Sequence, residues 1–122
     1  MLKLSEEQFK SWLDSLGKAW VETDPELAVS LFDDEAEYHN TPFKKPMVGR
    51  DAIFSYWKSG TDAQKDIKFE FQILATKDNY GIAHAWGSMV QDGKPQKWDG
   101  IFWAIFNDTG KCLIFKEFWS SQ

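Results

Sequence analysis

Cysteine is nearly missing from this chain of 122 residues: Cys112 stands alone. An internal disulfide is therefore excluded, and a reducing cytoplasm is the expected setting. Cys112 lies mid-strand beside Leu113 with no thiolate-stabilising motif, so it reads as packing. Histidine is almost as scarce, with His39 and His84 widely separated and no H-x-H or H-x-x-E-H spacing, so no metal site is expected. There is no run of Lys or Arg, and the net charge is −5, which argues against a nucleic-acid groove. No apolar stretch is long enough to span a membrane. The opening MLKLSEEQ turns acidic within six residues and does not read as a signal peptide. Repeats, linkers and low-complexity segments are lacking too, so residues 1–122 read as one domain.

What the chain has in excess is aromatic surface: seven Trp and ten Phe. Each ring buries roughly 150–250 Å² when covered. The density peaks in KWDGIFWAIFN (97–107) and KCLIFKEFW (111–119), two strands joined by Asp108-Thr109-Gly110. Alternate side chains of a strand point to opposite faces. Gly100, Phe102, Ala104 and Phe106 line one face of the first strand, and Ile101, Trp103 and Ile105 the other. On the second, Leu113, Phe115 and Trp119 share a face with one carboxylate, Glu117, opposite Ile114, Lys116 and Phe118. A sheet apolar on both sides needs two covers. The expectation is a cavity beneath one face and a partner subunit on the other, with Ile101, Trp103, Ile105, Ile114 and Phe118 as a homodimer surface.

The rest of the chain supplies helices first. Ser5 and Gln8 form a capping box, followed by Phe9, Trp12, Leu13, Leu16 and Trp20 on one helical stripe. Asp24-Pro25 starts a second, short helix. Glu35–His39 reads as a short strand, with Asp33-Asp34-Glu35 a solvated helix end before it. Asn40–Val48 reads as a loop, and Gly49-Arg50-Asp51 opens a third helix stopped by Gly60. Arg50 reads as a structural tie. Ile67, Phe69, Phe71 and Ile73 alternate with Lys68, Glu70 and Gln72, the cleanest period-two run in the chain. Turns at Asn79-Tyr80-Gly81 and Asp92-Gly93 complete a four-strand meander. Helices followed by an antiparallel meander indicate an α+β layer fold.

This order, with Phe32-Asp33-Asp34-Glu35-Ala36, Thr41-Pro42-Phe43, Gly49-Arg50-Asp51-Ala52-Ile53 and the C-terminal Asp99-Gly100-Ile101-Phe102 and Glu117-Phe118-Trp119, resembles the SnoaL-like branch of the nuclear transport factor 2-like superfamily. The resemblance covers nearly the whole chain. It implies a cone-shaped fold, with three N-terminal helices packed on a curved, mostly antiparallel sheet around a pocket, and dimerisation through the outer sheet face. Members include ketosteroid isomerases, limonene-epoxide hydrolase-like enzymes, polyketide cyclases and binders without activity, so fold does not choose an activity. The isomerase type places an aspartate before a proline where this chain has His39-Asn40-Thr41-Pro42, and a second aspartate where it has Phe102. The epoxide hydrolase type needs two aspartates and an arginine. Trp86 and Ser88 stand at two of those positions, and Glu117 alone matches an acidic one.

Glu117 is the first candidate for acid–base chemistry, since burial without a cation raises a carboxyl pKa. The structural alternative pairs it with Arg50, a lysine or a Trp Nε1. His84 is the second candidate, in a row with Ile82, Trp86 and Ser88 that is expected to face the cone. The opposite row, Gly81, Ala83, Ala85, Gly87 and Met89, lets something pack close. A satisfied hydrogen bonder is the alternative for His84, and a merely exposed loop-end residue for His39. Tyr38, His39, Trp57, Trp86, Ser88, Phe102, Phe115 and Trp119 are the expected lining of a pocket for a small apolar, cyclic molecule. Catalysis, if any, would be cofactor-free. A different class remains open: a non-catalytic interaction or dimerisation module whose cone is filled by its own side chains.

Overall fold

The computed structural model describes residues 2–122. Helix α1 spans Glu6–Val21 and α2 Pro25–Ser30; strand β1 spans Phe32–His39 and β2 Met47–Val48; α3 spans Arg50–Ala63; and β3 (Gln64–Lys77), β4 (Tyr80–Gln91), β5 (Lys94–Phe106) and β6 (Cys112–Ser121) follow. The six strands form one sheet in the order β2-β1-β6-β5-β4-β3. Only the β1–β6 pairing is parallel, which matches the mostly antiparallel α+β layer expected. The helices pack on one side of this curved, unclosed sheet. Register shifts between Lys65 and Lys68 and between Ile73 and Ala75 of β3 supply curvature, because an extra residue on one strand bends it.

The start of α1 follows its sequence signals. Ser5 Oγ accepts from Gln8 N at 3.1 Å, and Gln8 Oε1 accepts from Ser5 N at 2.9 Å, which occupies two otherwise orphaned donors. Asp24 caps α2 by accepting from Leu27 N at 3.1 Å, with Pro25 at the first helical position. The stripe Phe9, Trp12, Leu13 and Leu16 is buried. The Trp12 ring meets Phe32, Phe106 and Phe115 at centroid distances of 5.7, 5.3 and 5.5 Å, forming the closed end of the cone.

Four boundaries differ from the sequence reading: first, Met47–Val48, at the end of the expected loop, pairs as β2 with Glu37 and Tyr38. Asp33-Asp34-Glu35 lies on β1, not at a helix end, with Asp34 and Glu35 solvated as expected; Asp33 accepts from Asn107 Nδ2 at 2.8 Å and Asp34 pairs with Arg50 at 3.0 Å. Gly60 sits inside α3, which continues to Ala63 and passes directly into β3 at Gln64. The turn into β4 falls at Asp78-Asn79, with Asp78 at φ 50°. Elsewhere the expectations agree. Asp92 and Gly93 both take positive φ in the β4–β5 hairpin. Arg50 is the structural tie expected, donating to the Phe32 carbonyl from Nε (2.9 Å) and Nη2 (2.7 Å). Cys112 is buried, and that burial pushes its thiol well up.

The small row of β4 explains how close α1 comes to the sheet. A Cβ on Gly81 would stand 2.5 Å from two ring carbons of Phe9, which is fully buried. Gly81→Ala is therefore expected to cost about 1–3 kcal/mol by overpacking, read as a lower urea midpoint at unchanged m.

Candidate functional site

Facing the helices, the sheet presents Phe69, Phe71 and Ile73 of β3, Ala83 and Ala85 of β4, Trp98, Phe102 and Ala104 of β5, and Phe115 and Glu117 of β6. At the closed end α1 fills this concave face. Toward the other end a cavity of about 530 Å³ remains, a size usual for small-molecule sites. Tyr38 of β1, Tyr56 and Trp57 of α3 and Glu117 of β6 line one part of it. Phe102 and Trp98 of β5, Trp119 of β6 and Trp20 of α1 supply further aromatic wall.

Glu117 brings a carboxylate to this wall. It lies opposite Phe102 in the β5–β6 ladder, which aims its side chain into the cone. The Tyr38 hydroxyl donates to Glu117 Oε1, and Oε2 has no hydrogen bond among the described residues. Removal from solvent pushes the Glu117 carboxyl up to about 7, against a small opposing pull from the Tyr38 hydrogen bond. The two tyrosines respond in turn. Burial first, and the Glu117 charge second, hold both Tyr38 and Tyr56 well above the ordinary phenol value, so both stay protonated donors. Of the structural partners weighed for Glu117, Arg50 is engaged by Phe32 and Asp34, and among the described residues the carboxylate's hydrogen-bond partner is the Tyr38 hydroxyl. The rim is tied by Asn40, whose carbonyl accepts from Trp119 Nε1 at 2.9 Å and whose Nδ2 meets the Tyr56 hydroxyl at 3.5 Å.

Tyr38, Trp57, Phe102, Glu117 and Trp119 thus lie where the sequence places them. Phe115 faces inward but is fully buried beneath the cavity, touching Phe102 and Tyr38 at ring distances of 5.1 Å each. It supports the floor and does not line it.

Four candidates are corrected. His84, Trp86 and Ser88 point away from the cavity, because the small row of β4 is the one that faces α1 and no larger side chain fits there. His84 Nε2 instead meets Asp99 Oδ1 at 2.9 Å, its ring lies 4.6 Å from Trp86, and Trp86 Nε1 donates to Glu70 at 3.0 Å. His39 also turns outward, since strand alternation puts its neighbour Tyr38 inside, and its Nε2 meets Glu37 at 3.1 Å. Three strand spacings, roughly 14 Å, separate the two histidines, so they do not converge on a shared ion.

Sequence reasoning missed Tyr56, Trp20 and Trp98, together with Gln64, Gln91 and Gln96, all on the cavity wall. A signal existed for some of them. Extending the inward row of β5 from Phe102 by steps of two gives Gly100, Trp98 and Gln96, and Tyr56 follows the buried Ile53 by three residues on α3. The outer row carries Lys116, whose Nζ sits 5.3 Å from the Trp103 ring centroid, a cation held over an aromatic face.

No curated protein matches the chain. Among solved structures 394 chains match, so the fold is widespread and selects no activity. One of these is the epoxide hydrolase/cyclase-like enzyme SalBIII, described for a role in pyran ring formation in the polyether salinomycin. It superposes with a TM-score of 0.82 at 19% identity, over 95% of this chain and 93% of that one. At that identity the likeness shows the fold. No helix among the described residues is long and apolar enough to cross a membrane. The profile of the SnoaL-like domain matches residues 12–113. On that match, and on a fold of the nuclear transport factor 2-like type, the chain belongs to the SnoaL-like domain family.

Proposed function

We propose that the protein binds a small, largely apolar ring compound in the cone and handles a proton on it through Glu117, without a cofactor. The observation that carries this reading is the place of Glu117 on the cavity wall, held by the Tyr38 hydroxyl at Oε1 with no hydrogen bond on Oε2 among the described residues; removal from solvent raises such a carboxyl to about 7. At neutral pH such a group is protonated in about half of the molecules, so it can give or take a proton with little penalty. Tyr38 orients it, and Tyr56 offers a second protonated hydroxyl nearby. Isomerisation, cyclisation, dehydration and hydrolysis all need such a transfer. SalBIII, which shares the fold, is described for a role in pyran ring formation. His84, on the outer face, has no part in it.

The other reading, an interaction module with a self-filled cone, lacks support while 530 Å³ stays open beside Trp57 and Phe102. The discriminating experiment is thermal unfolding against a panel of small neutral aromatic compounds. A bound ligand raises stability by RT ln(1 + [L]/Kd), and a cone that none of them stabilises would sink this reading.

We further propose a symmetric homodimer through the outer sheet face. Ile101, Trp103 and Ile105 of β5 and Ile114 and Phe118 of β6 stand there together, away from the helices. Sedimentation should give about twice the monomer mass, and Trp103→Glu should return it to the monomer value, because a carboxylate buried there without a partner costs several kcal/mol.

A further inference from the structure

The inward rows of the sheet are apolar from the closed end outward, and then they change. Gln64 opens β3, Gln91 ends β4 and Gln96 lies near the start of β5, all three on the cavity wall. Gln64 and Gln91 are direct cross-strand neighbours, and Gln96 opposes Met89. Three uncharged amides from three strands thus meet at the end of the cavity remote from the Phe102–Glu117 level. Gln64 pairs with Gln91, which opposes Lys94, so eight residues of β5, roughly 26 Å of strand, separate its level from Phe102. That gap is one that the side chains and a rigid three-ring skeleton close between them.

Gln64 is held in one orientation. Trp20 Nε1 lies 2.6 Å from its Oε1. An indole N–H can only donate, so the amide oxygen is spent on Trp20 and the amide NH₂ is what Gln64 has left to offer. The charges on the wall complete the picture. Glu117 and Asp92 line the cavity, and among the described lining residues there is no Lys, Arg or His. An anionic ligand would be desolvated beside carboxylates with no cation to pair it, a cost of several kcal/mol.

Resting on the binding reading above, we infer that the cavity selects an uncharged multi-ring molecule with an acceptor oxygen at the end remote from Glu117, and that Gln64 is the specificity residue reading that oxygen. The ligand class is therefore neutral oxygenated ring compounds, and free acids and phosphorylated or thioester-activated anions are refused.

Three probes of one skeleton test it: fluorene, 2-acetylfluorene and fluorene-2-carboxylate, titrated calorimetrically at pH 7. The acetyl and carboxylate groups match in shape and differ in charge. The acetyl compound should bind at least about fivefold tighter than fluorene, in line with one buried hydrogen bond, and the carboxylate more weakly than either. Gln64→Glu keeps the acceptor for Trp20 but removes the NH₂ donor, and should abolish the acetyl preference, read as the ratio of the acetyl to the fluorene affinity in the same variant. Gln96→Lys should bring the carboxylate up to or above the acetyl compound. A carboxylate that binds wild type as tightly as the acetyl compound overturns the inference and leaves the binding reading standing. So does an acetyl preference that survives Gln64→Glu. If none of the three binds, the cavity itself is refused and both readings fall together.

Discussion

Phe115→Ala should destabilise the protein by about 3–5 kcal/mol, the range for emptying a fully buried aromatic position. Phe115 is completely buried and touches the rings of Trp12, Phe32, Tyr38 and Phe102. Those neighbours come from α1, β1 and β5, so one side chain joins the helix layer to the sheet on both sides of β6. They cannot all collapse into the void, since each is fixed by its own strand or helix, and the cavity term is added to the lost transfer term. Against a total stability of typically 5–15 kcal/mol, such a loss takes a large share. Urea unfolding followed by tryptophan fluorescence would measure it, and a cost below about 1 kcal/mol would show that the floor repacks. Binding should weaken too, because Tyr38 and Phe102 rest on this ring.

Glu117→Gln is expected to act on stability and chemistry in opposite directions. The folded-state carboxyl stands at about 7, against an ordinary value of 4.5. The native state therefore holds the proton more tightly than the unfolded chain does. Its stability contribution is fully present below about pH 4.5 and is lost as pH rises through 7. The loss amounts to about 3 kcal/mol at pH 8, at 1.36 kcal/mol per unit. Glutamine keeps an acceptor for the Tyr38 hydroxyl and needs no proton. The variant should therefore melt higher than wild type at pH 8, by roughly 10 °C for a chain of this size. Near pH 4.5 the two should melt together. Parallel melting curves at every pH would mean that the carboxyl is not raised. Turnover of any substrate should vanish in the variant while binding persists, because a carboxamide neither gives nor takes a proton at neutral pH.

The layers of the fold were readable from local signals. The Ser5–Gln8 box, Asp24-Pro25 and Asp92-Gly93 each name a backbone geometry that few other residues favour, and the structure shows each one. Glu117 was readable because a single acid in a row of Leu113, Phe115 and Trp119 breaks the pattern. The β4 facing was not. Its two rows differ in size more than in polarity, and size does not tell which side is inside until the approach of Phe9 to Gly81 is known. His39 failed for a related reason, since a strand end carrying both Tyr38 and His39 gives two polar aromatics and no sign of which turns inward. The glutamines escaped notice because Gln64 is far in sequence from Gln91 and Gln96, and all three are ordinary in type. They acquire meaning only through the register that brings β3, β4 and β5 side by side.

One junction sets how the mouth of the cone can change shape. Helix α3 ends at Ala63 and β3 begins at Gln64, which already pairs with Gln91, while Asp92 N donates to the Ala63 carbonyl at 3.0 Å. No slack separates the helix that carries Tyr56 and Trp57 from the strand that carries Gln64, so this side behaves as one stiff lip. The opposite side is different in kind. Between β1 and β2, residues 40–46 hold fully exposed Phe43, and Asn40 anchors them to Trp119 and Tyr56. On the binding reading, exchange through the mouth is expected to move residues 40–46 and to leave the α3–β3 junction in place.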